Sequence, residues 1–393
     1  MSSTPTLFDI DALRTQAADA TGLDDLGEDT WREGLERLID ALEHEARLNE
    51  IGVQIVASEI VGYFTTRLHI TEWHRQHPEI GEVDIRPPIV IMGQPRTGTT
   101  ILFDLLAQDP ANRVPMTWEV DFPWPPPETA TYETDPRIAE VQSTLEMTEL
   151  LIPGFLGIHA MGAQLGQECV RITGGDFKSM IFPTQYRAPS YMHWLHHEAD
   201  MAEAYRYHRM FLQHLQSRHP AQRWLLKSPA HLWSLDALLG EYPDALLVQT
   251  HRDPLKVVAS LASLTSVLRR LGTDEATIPE MAEELVGTIV LGLDRSVDAR
   301  TDGTVPADQA IDVLFADFMA DPLATVHGIY ERLGIELTGE AESAMRTFMA
   351  ENPQDKHGGH RYTFEDTGLD AGELRERVQR YQDHFGVPDE ANR

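Results

Sequence analysis

A glycine-bounded loop holds the residues whose types and spacing most clearly indicate chemistry. Gly93 to Thr100 reads GQPRTGTT, after the apolar run Ile89 to Met92 and before a helix-like segment. This order is typical of a phosphate cradle, in which backbone N–H groups and a helix N-terminus converge on an anion. The loop residues expected to bind that anion are Arg96, Thr97, Gly98, Thr99 and Thr100.

The loop differs from that of a nucleotide triphosphatase at one position. The triphosphatase motif GxxxxGK[ST] has a lysine that reaches the β- and γ-phosphates, but Thr99 stands at that position here. The cation is instead Arg96, inside the loop. A P-loop kinase or nucleotidase is therefore disfavoured, although it stays an alternative.

A second candidate anion site lies in HRDPLKVVASLASL, which starts at His251. Arg252 follows a predicted strand, and Ser260 lies about two turns along the helix that Pro254 opens. Taken singly, Arg252 would be a surface ion pair and Ser260 a small packing residue. Together they can hold one phosphate from two sides. With the loop, they indicate a nucleotide that carries phosphates at both ends of its ribose.

These motifs resemble those of the sulfotransferase family that uses 3′-phosphoadenosine 5′-phosphosulfate (PAPS), over residues 87 to 365. The segments LLKSPAHLW, HRDP and HRYTFEDTGL are most similar to a bacterial subgroup. The resemblance implies that the PRTGTT loop holds the 5′-phosphosulfate and that Arg252 and Ser260 hold the 3′-phosphate. It also implies metal-independent transfer of a sulfuryl group to a hydroxyl, with the bisphosphate PAP as product. A non-catalytic PAP-binding module is the other alternative.

Sulfuryl transfer needs a cation for the leaving phosphate and a base for the acceptor hydroxyl. Arg96 and Lys227, which ends the predicted strand RWLLK, are the candidate cations. The resemblance implies that Lys227 serves the leaving group and that Glu119, in VPMTWEVDF, is the base. Cytosolic family members have a histidine where Pro229 stands here.

A basic segment near the C-terminus completes the predicted site. Residues Asp355 to Gly368 read DKHGGHRYTFEDTG and include Lys356 and Arg361. The segment is either a loop with incidental charge or a flap that closes over the 3′-phosphate. The resemblance to family members with a glycine- and lysine-containing C-terminal segment favours the flap, with Lys356 and Arg361 as cofactor-binding residues.

Strand-like runs followed by helix-like segments must position these residues. The runs are Arg223 to Lys227, Ala245 to Thr250 and Ile311 to Phe315. This alternation predicts an α/β, P-loop-like three-layer fold, in which helices flank a central, mostly parallel sheet. The cradle, the end of RWLLK and the end of ALLVQT would then share the edge where such sheets bind ligands.

Residues 1–86 predict a helical N-terminal extension packed on the core, and residues 87–393 a sulfotransferase-like α/β domain. Apolar residues recur at helical spacing from Trp31 onward, and Thr30 with Glu33 fits a capping box. Asn112 to Pro127 contains five prolines and two tryptophans. We expect this segment to be an ordered loop without helix, either a rigid surface loop or the wall of a cleft.

The charge balance limits the class of partner. The chain of 393 residues has 32 basic and 63 acidic residues, a net charge of -31. Such a surface repels nucleic acid, and the resemblance implies a small-molecule hydroxyl acceptor as the partner. The irregular segments are rich in aromatic residues, which are either core or the lining of a cleft for a largely apolar acceptor. These residues are Trp118, Phe122, Trp124, Phe155, Tyr186, Tyr191 and Trp194.

The compartment is indicated by three features of the sequence. Cys169 is the one cysteine, which excludes an internal disulfide and fits a reducing environment. The N-terminus lacks the basic and then apolar start of a signal peptide. No run approaches the roughly 18 apolar residues of a membrane span. These features predict a cytoplasmic protein, and the sequence indicates neither its acceptor nor its oligomeric state.

Overall fold

A parallel sheet of five strands forms the centre of the computed structural model, which describes residues 7–151, 161–352 and 363–390. The strand order is β2-β3-β1-β4-β5, and every neighbouring pair is parallel. The strands are β1 (Ile89–Gly93), β2 (Asn112–Arg113), β3 (Arg223–Lys227), β4 (Leu246–His251) and β5 (Ala310–Leu314).

Helices account for most of the remaining described chain. Those before β3 are α1 (Ile10–Thr21), α2 (Trp31–His44), α3 (Glu50–Gln76), α4 (Thr99–Leu106), α5 (Thr117–Asp121), α6 (Pro136–Leu151), α7 (Cys169–Thr173), α8 (Ile181–Gln185), α9 (Pro189–His197) and α10 (Met201–Gln216). Those after β3 are α11 (Leu235–Glu241), α12 (Pro254–Arg269), α13 (Ile278–Thr301), α14 (Phe315–Ala320), α15 (Pro322–Leu333), α16 (Gly339–Glu351) and α17 (Ala371–Phe385).

The central strand β1 shows why the sheet is covered on both faces. Its alternate side chains enter two different hydrophobic clusters: Val90 and Met92 pack with residues of α10 and α11, whereas Ile89 and Ile91 pack with residues of α4, α15 and α16. All five residues of β1 are buried, as expected for a parallel strand between two helical layers. The predicted three-layer α/β fold with a parallel sheet is therefore confirmed.

The predicted βα units agree with the observed elements, with one exception before β3. The strands RWLLK and ALLVQT and the helices that follow Pro254 and Pro322 are present. The prediction that Asn112 to Pro127 contains no helix is wrong, because α5 occupies Thr117–Asp121. Prolines flank this short helix without entering it, and they therefore remove none of its hydrogen bonds.

The three N-terminal helices contact later parts of the chain through apolar and charged groups. Residues of α1, α2 and α3 share a hydrophobic cluster with residues between Phe177 and Leu195. Within this layer Arg67 and Asp176 form a buried ion pair with an Nη1–Oδ1 distance of 3.0 Å. Thr30 does not cap α2 as predicted, because its hydroxyl bonds to Asp176 instead. The division at residue 86 stays a prediction.

Two glycines of α3 provide a test of this packing. A Cβ at Gly52 would lie 2.8 Å from the Cα of Gly272 and would overlap its carbonyl group, whereas a Cβ at Gly62 would have no neighbour within 4 Å. We expect Gly52→Ala to lower the free energy of unfolding by about 1–3 kcal/mol through overpacking. Gly62→Ala should leave it unchanged or raise it by up to about 1 kcal/mol, because alanine favours helix.

Denaturant unfolding of the two variants beside the parent chain provides the measurement. Equal stability of the two variants would contradict the close contact between α3 and the segment after α12.

Candidate active site

The loop between β1 and α4 requires unusual backbone conformations at three positions. Gly93 has a φ of 148°, and a Cβ there would lie 2.5 Å from the carbonyl oxygen of Thr250. Gly98 has a φ of 92°, and a Cβ there would lie 2.9 Å from the ring of Phe315. Arg96 has a φ of 71° although it carries a side chain. The two glycines adopt the conformations of this tight turn without a steric penalty. Arg96 adopts its positive φ with some backbone strain.

The threonines of the loop serve two different purposes. The Thr97 hydroxyl donates to the Gln94 carbonyl at 2.6 Å and lies 2.6 Å from the Thr250 hydroxyl. Thr97 is buried, so its side chain fixes the loop against β4. Thr99 is also buried in the first turn of α4. The Thr100 hydroxyl, by contrast, accepts a hydrogen bond from the Lys227 ammonium.

Lys227 lies beside the loop because β3 pairs with β1. Ile91 and Lys227 are partners in the parallel ladder. The Lys227 ammonium donates to the Thr100 hydroxyl at 3.2 Å and to Glu168 Oε1 at 2.7 Å. It also lies 5.4 Å from the centre of the Phe103 ring. A buried ammonium is thus held at the first turn of α4 by a carboxylate and a hydroxyl.

A second carboxylate lies near this ammonium. Burial raises the pKa of Asp104, on α4, to about 6, and the positive charge of Lys227 acts on it in the opposite direction. Glu168 therefore contacts Lys227 directly, and Asp104 interacts with it electrostatically. This gives the region a cation whose charge is balanced within the protein.

The predicted second anion site adjoins the loop through Arg96. Its Nε donates to the Ser260 hydroxyl at 2.9 Å, and Arg252 Nη1 donates to the Arg96 carbonyl at 3.2 Å. Gly93 pairs with Thr250 in the sheet, two residues before Arg252. The three strand ends named by the sequence thus share one edge, as predicted. Arg252 also forms a bidentate ion pair with Glu390.

The predicted base Glu119 lies in a different environment. It is fully buried on α5, where its Oε1 accepts from Arg113 at 2.6 Å. Its Oε2 accepts from the Tyr132 hydroxyl at 2.9 Å and from the Met116 backbone N–H at 3.0 Å. Both carboxylate oxygens are therefore engaged in internal bonds. This is the environment of a structural charge pair and does not fit a base that must reach a substrate.

Some residues predicted for the site lie outside the described part of the chain, and several of the aromatic residues lie in the core. Lys356 and Arg361 lie outside the described residues, as does Phe155. Of the seven aromatic residues expected either in the core or in a cleft lining, four are buried, as the core alternative predicts: Trp118, Tyr186, Tyr191 and Trp194. In the described ranges 7–151, 161–352 and 363–390, no group of three His, Cys, Asp or Glu side chains is arranged to bind a metal.

Two contacts of the site were not found from the sequence. Glu168 contacts Lys227, which is 59 positions away in the sequence, and Glu390 contacts Arg252, which is 138 positions away. Neither glutamate belongs to a motif, so no local signal could have identified it. The pairings follow from the tertiary fold alone.

The comparisons with known proteins agree on one family. A family model described as the sulfotransferase family matches residues 87–339. The crystal structure of sulfotransferase STF1 from Mycobacterium tuberculosis is 33% identical, covers 95% of this chain and 99% of its own, and has a TM-score of 0.85. That of sulfotransferase STF9 from Mycobacterium avium is 30% identical, covers 99% of both chains, and has a TM-score of 0.88.

The name of one curated relative includes its acceptor. The omega-hydroxy-beta-dihydromenaquinone-9 sulfotransferase Stf3 from Mycobacterium tuberculosis is 24% identical over 302 residues, which are 75% of this chain and 75% of the relative.

The surroundings of Glu119 lead to a prediction about stability. Glu119→Gln removes the charge that neutralises buried Arg113, so we expect the free energy of unfolding to fall by about 3 kcal/mol. Glu128→Gln is the matched control, because Glu128 forms an exposed ion pair with Arg218, and should cost less than about 1 kcal/mol. Denaturant unfolding measures both. Similar small losses in the two variants would contradict a structural role for Glu119.

Proposed function

We propose that this chain, which belongs to the sulfotransferase family, transfers a sulfuryl group from PAPS to a hydroxyl of a small, largely apolar molecule. The observation that carries this proposal is the shared edge of β1, β3 and β4. There the anion loop, the Lys227 ammonium and Arg252 with Ser260 lie next to one another. This is the set of groups that a nucleotide with two phosphate ends and a departing charge requires.

The two ends of PAPS would bind to different parts of this edge. The backbone N–H groups from Arg96 to Thr100, with the N-terminus of α4, would hold the 5′-phosphosulfate. Arg252 and Ser260 would hold the 3′-phosphate. The bond from Arg96 Nε to the Ser260 hydroxyl supports this assignment, because it joins the two positions directly. Lys356 and Arg361 stay proposed ligands of the 3′-phosphate.

The transfer step exchanges one sulfur–oxygen bond for another. The acceptor oxygen forms a bond to sulfur as the bond between sulfur and the 5′-phosphate oxygen breaks, and both bonding electrons leave with PAP. Negative charge develops on that phosphate oxygen, where Lys227 and Arg96 would stabilise it. The acceptor's proton must pass to a base. The residues of the site supply these roles without a metal, and we propose none.

We propose Glu168, in place of Glu119, as the base. The carboxylate lies 2.7 Å from Lys227 Nζ, at the cation that would meet the leaving oxygen. A donor that engages Lys227 through its phosphate would weaken this ion pair and leave Glu168 able to accept a proton. Glu168 would therefore balance the charge of Lys227 before the donor binds and act on the acceptor once it has bound.

The proposed acceptor class rests on exposed apolar side chains and on a named relative. On α6, Met147 and Leu150 are 63% and 82% exposed. These apolar surfaces favour a hydroxyl on a hydrophobic body, as does the acceptor in the name of the mycobacterial relative Stf3. A kinase is disfavoured because Thr99 stands at the position of the phosphate-binding lysine.

The cytoplasm is the compartment that we propose, from the single cysteine of the sequence. Among the residues that the structure describes, no helix is both long and apolar enough to cross a membrane.

Nucleotide binding tests the donor. We expect calorimetry to give tight binding of PAP without magnesium and weaker binding of ATP, with or without magnesium. Arg252→Ala should weaken PAP binding about ten- to a hundredfold, because it removes a charge-assisted contact to phosphate. Arg332→Ala, at an exposed arginine of α15, should not change it. Tighter binding of magnesium-ATP than of PAP would contradict the proposed donor.

Turnover tests the two catalytic roles, with radiolabelled PAPS and an acceptor found by screening hydroxylated apolar compounds. Lys227→Ala should lower kcat by about a hundredfold or more. Glu168→Gln should lower kcat by about a hundredfold and remove the acidic limb of the pH–rate profile, because that limb reports the base. PAP affinity should not weaken in Glu168→Gln, because the substitution removes a carboxylate that competes with the donor for Lys227. A normal rate in either variant would remove that residue from the mechanism.

A further inference from the structure

The C-terminal helix α17 is attached to His251 and Asp253, at the end of β4. The His251 ring lies 2.8 Å from the Tyr381 hydroxyl, and Asp253 accepts two bonds from Arg375 at 2.8 and 3.1 Å. The residue between them, Arg252, is the proposed ligand of the 3′-phosphate. The C-terminal part of the chain is therefore built around the second anion site.

The segment after α17 ends with a carboxylate on this arginine. Arg252 Nε donates to Glu390 Oε1 at 2.9 Å, and Nη2 donates to Oε2 at 3.0 Å. The third nitrogen donates to the Arg96 carbonyl at 3.2 Å, and the guanidinium carbon lies 4.1 Å from the centre of the Phe315 ring. All three nitrogens of Arg252 thus donate within the protein. Its two parallel bonds to Glu390 have the geometry with which arginine binds a phosphate.

We propose that Glu390 is an internal anion that occupies the position of the donor's 3′-phosphate and must withdraw before the donor binds fully. This inference rests on the proposed function, because it takes Arg252 as the 3′-phosphate ligand. In this proposal both anions bind the Nε and Nη2 edge of Arg252, so they cannot occupy it together. A carboxylate beside a bound phosphate would also repel it.

The segment 388–390 is held in a way that allows it to move while α17 stays in place. Gly386 ends the helix with a φ of 65°, and Val387 is then buried among residues of α12, α13 and α17 and exchanges two hydrogen bonds with Gln382, which anchors the chain up to this residue. Beyond it, Asp389 bonds to Arg375 at 2.7 Å, and the Glu390 N–H donates to Asp253 at 2.7 Å. These contacts are partly exposed ion pairs and single hydrogen bonds. The buried bond between His251 and Tyr381 belongs to the helix itself.

Competition of this kind lowers the apparent affinity for the donor by the fraction of molecules in which the site is open. Removing the internal anion must therefore strengthen binding of ligands that carry a 3′-phosphate. It must not strengthen binding of ligands that lack one. This distinguishes occupation of the site from a general change in surface charge.

The test measures the affinities of PAP and of adenosine 5′-monophosphate for the full chain by calorimetry. We expect Glu390→Gln to bind PAP about fivefold more tightly than the parent chain, and adenosine 5′-monophosphate with unchanged affinity. Glu376→Gln is the matched control, because Glu376 is an exposed carboxylate on α17, and should change neither value. Unchanged or weaker PAP binding in Glu390→Gln, or an equal gain for the monophosphate, would overturn the proposal.

Movement of the segment gives a second readout. Cys169 is buried, so a nitroxide can be attached selectively to Pro388→Cys. Addition of PAP should narrow its spectrum as the segment is released, whereas a label at Glu376→Cys, on α17, should be unaffected. An unchanged spectrum at position 388 under saturating PAP would overturn the proposal. Failure of the parent chain to bind PAP would instead contradict the proposed function.

Discussion

The parallel pairing of β1 with both β3 and β4 is the constraint on which the site depends. In this register Lys227 lies opposite Ile91, and Thr250 lies opposite Gly93. The loop after β1 therefore begins between a buried ammonium on one side and the Arg252 turn on the other. A shift of either strand along β1 would separate these groups. Burial of β1 on both faces fixes the register through the two hydrophobic clusters that its alternate side chains enter.

Two cations of the site are each paired with a carboxylate of the protein. The protein is strongly acidic, and in the part of the chain that the structure describes Lys227 and Arg252 each contact a glutamate, Glu168 and Glu390. An anionic donor would exchange these internal carboxylates for its own phosphates. The two ion pairs avoid buried uncompensated charge, and both cations stay oriented toward the loop edge. We propose that one carboxylate then takes part in the reaction and that the other leaves.

Local patterns in the sequence predicted the parts of this arrangement that short segments determine. The β-branched run Ile89–Met92, bounded by prolines and a glycine, predicted β1, and the Arg252 turn followed from the proline that opens α12. β2 is two residues long and leaves no pattern, and α5 was missed because the surrounding prolines obscured it. The role of Thr30 was misjudged because its hydroxyl has a better partner, Asp176, which is distant in sequence.

The same distinction separates the predicted from the unpredicted site residues. Arg96 and Lys227 stand in motifs, whereas Glu168 and Glu390 reach the site only through tertiary contacts. Glu119 fits the family pattern, but its burial with Arg113 is a property of the fold that the motif does not reveal.

A crystal structure of the chain with PAP bound would test the proposed donor site. We expect the 5′-phosphate within hydrogen-bond distance of the Arg96–Thr100 backbone and of Lys227 Nζ, and the 3′-phosphate on Arg252 and Ser260. PAP bound elsewhere, or at the loop with its 3′-phosphate away from Arg252, would contradict the proposed donor site.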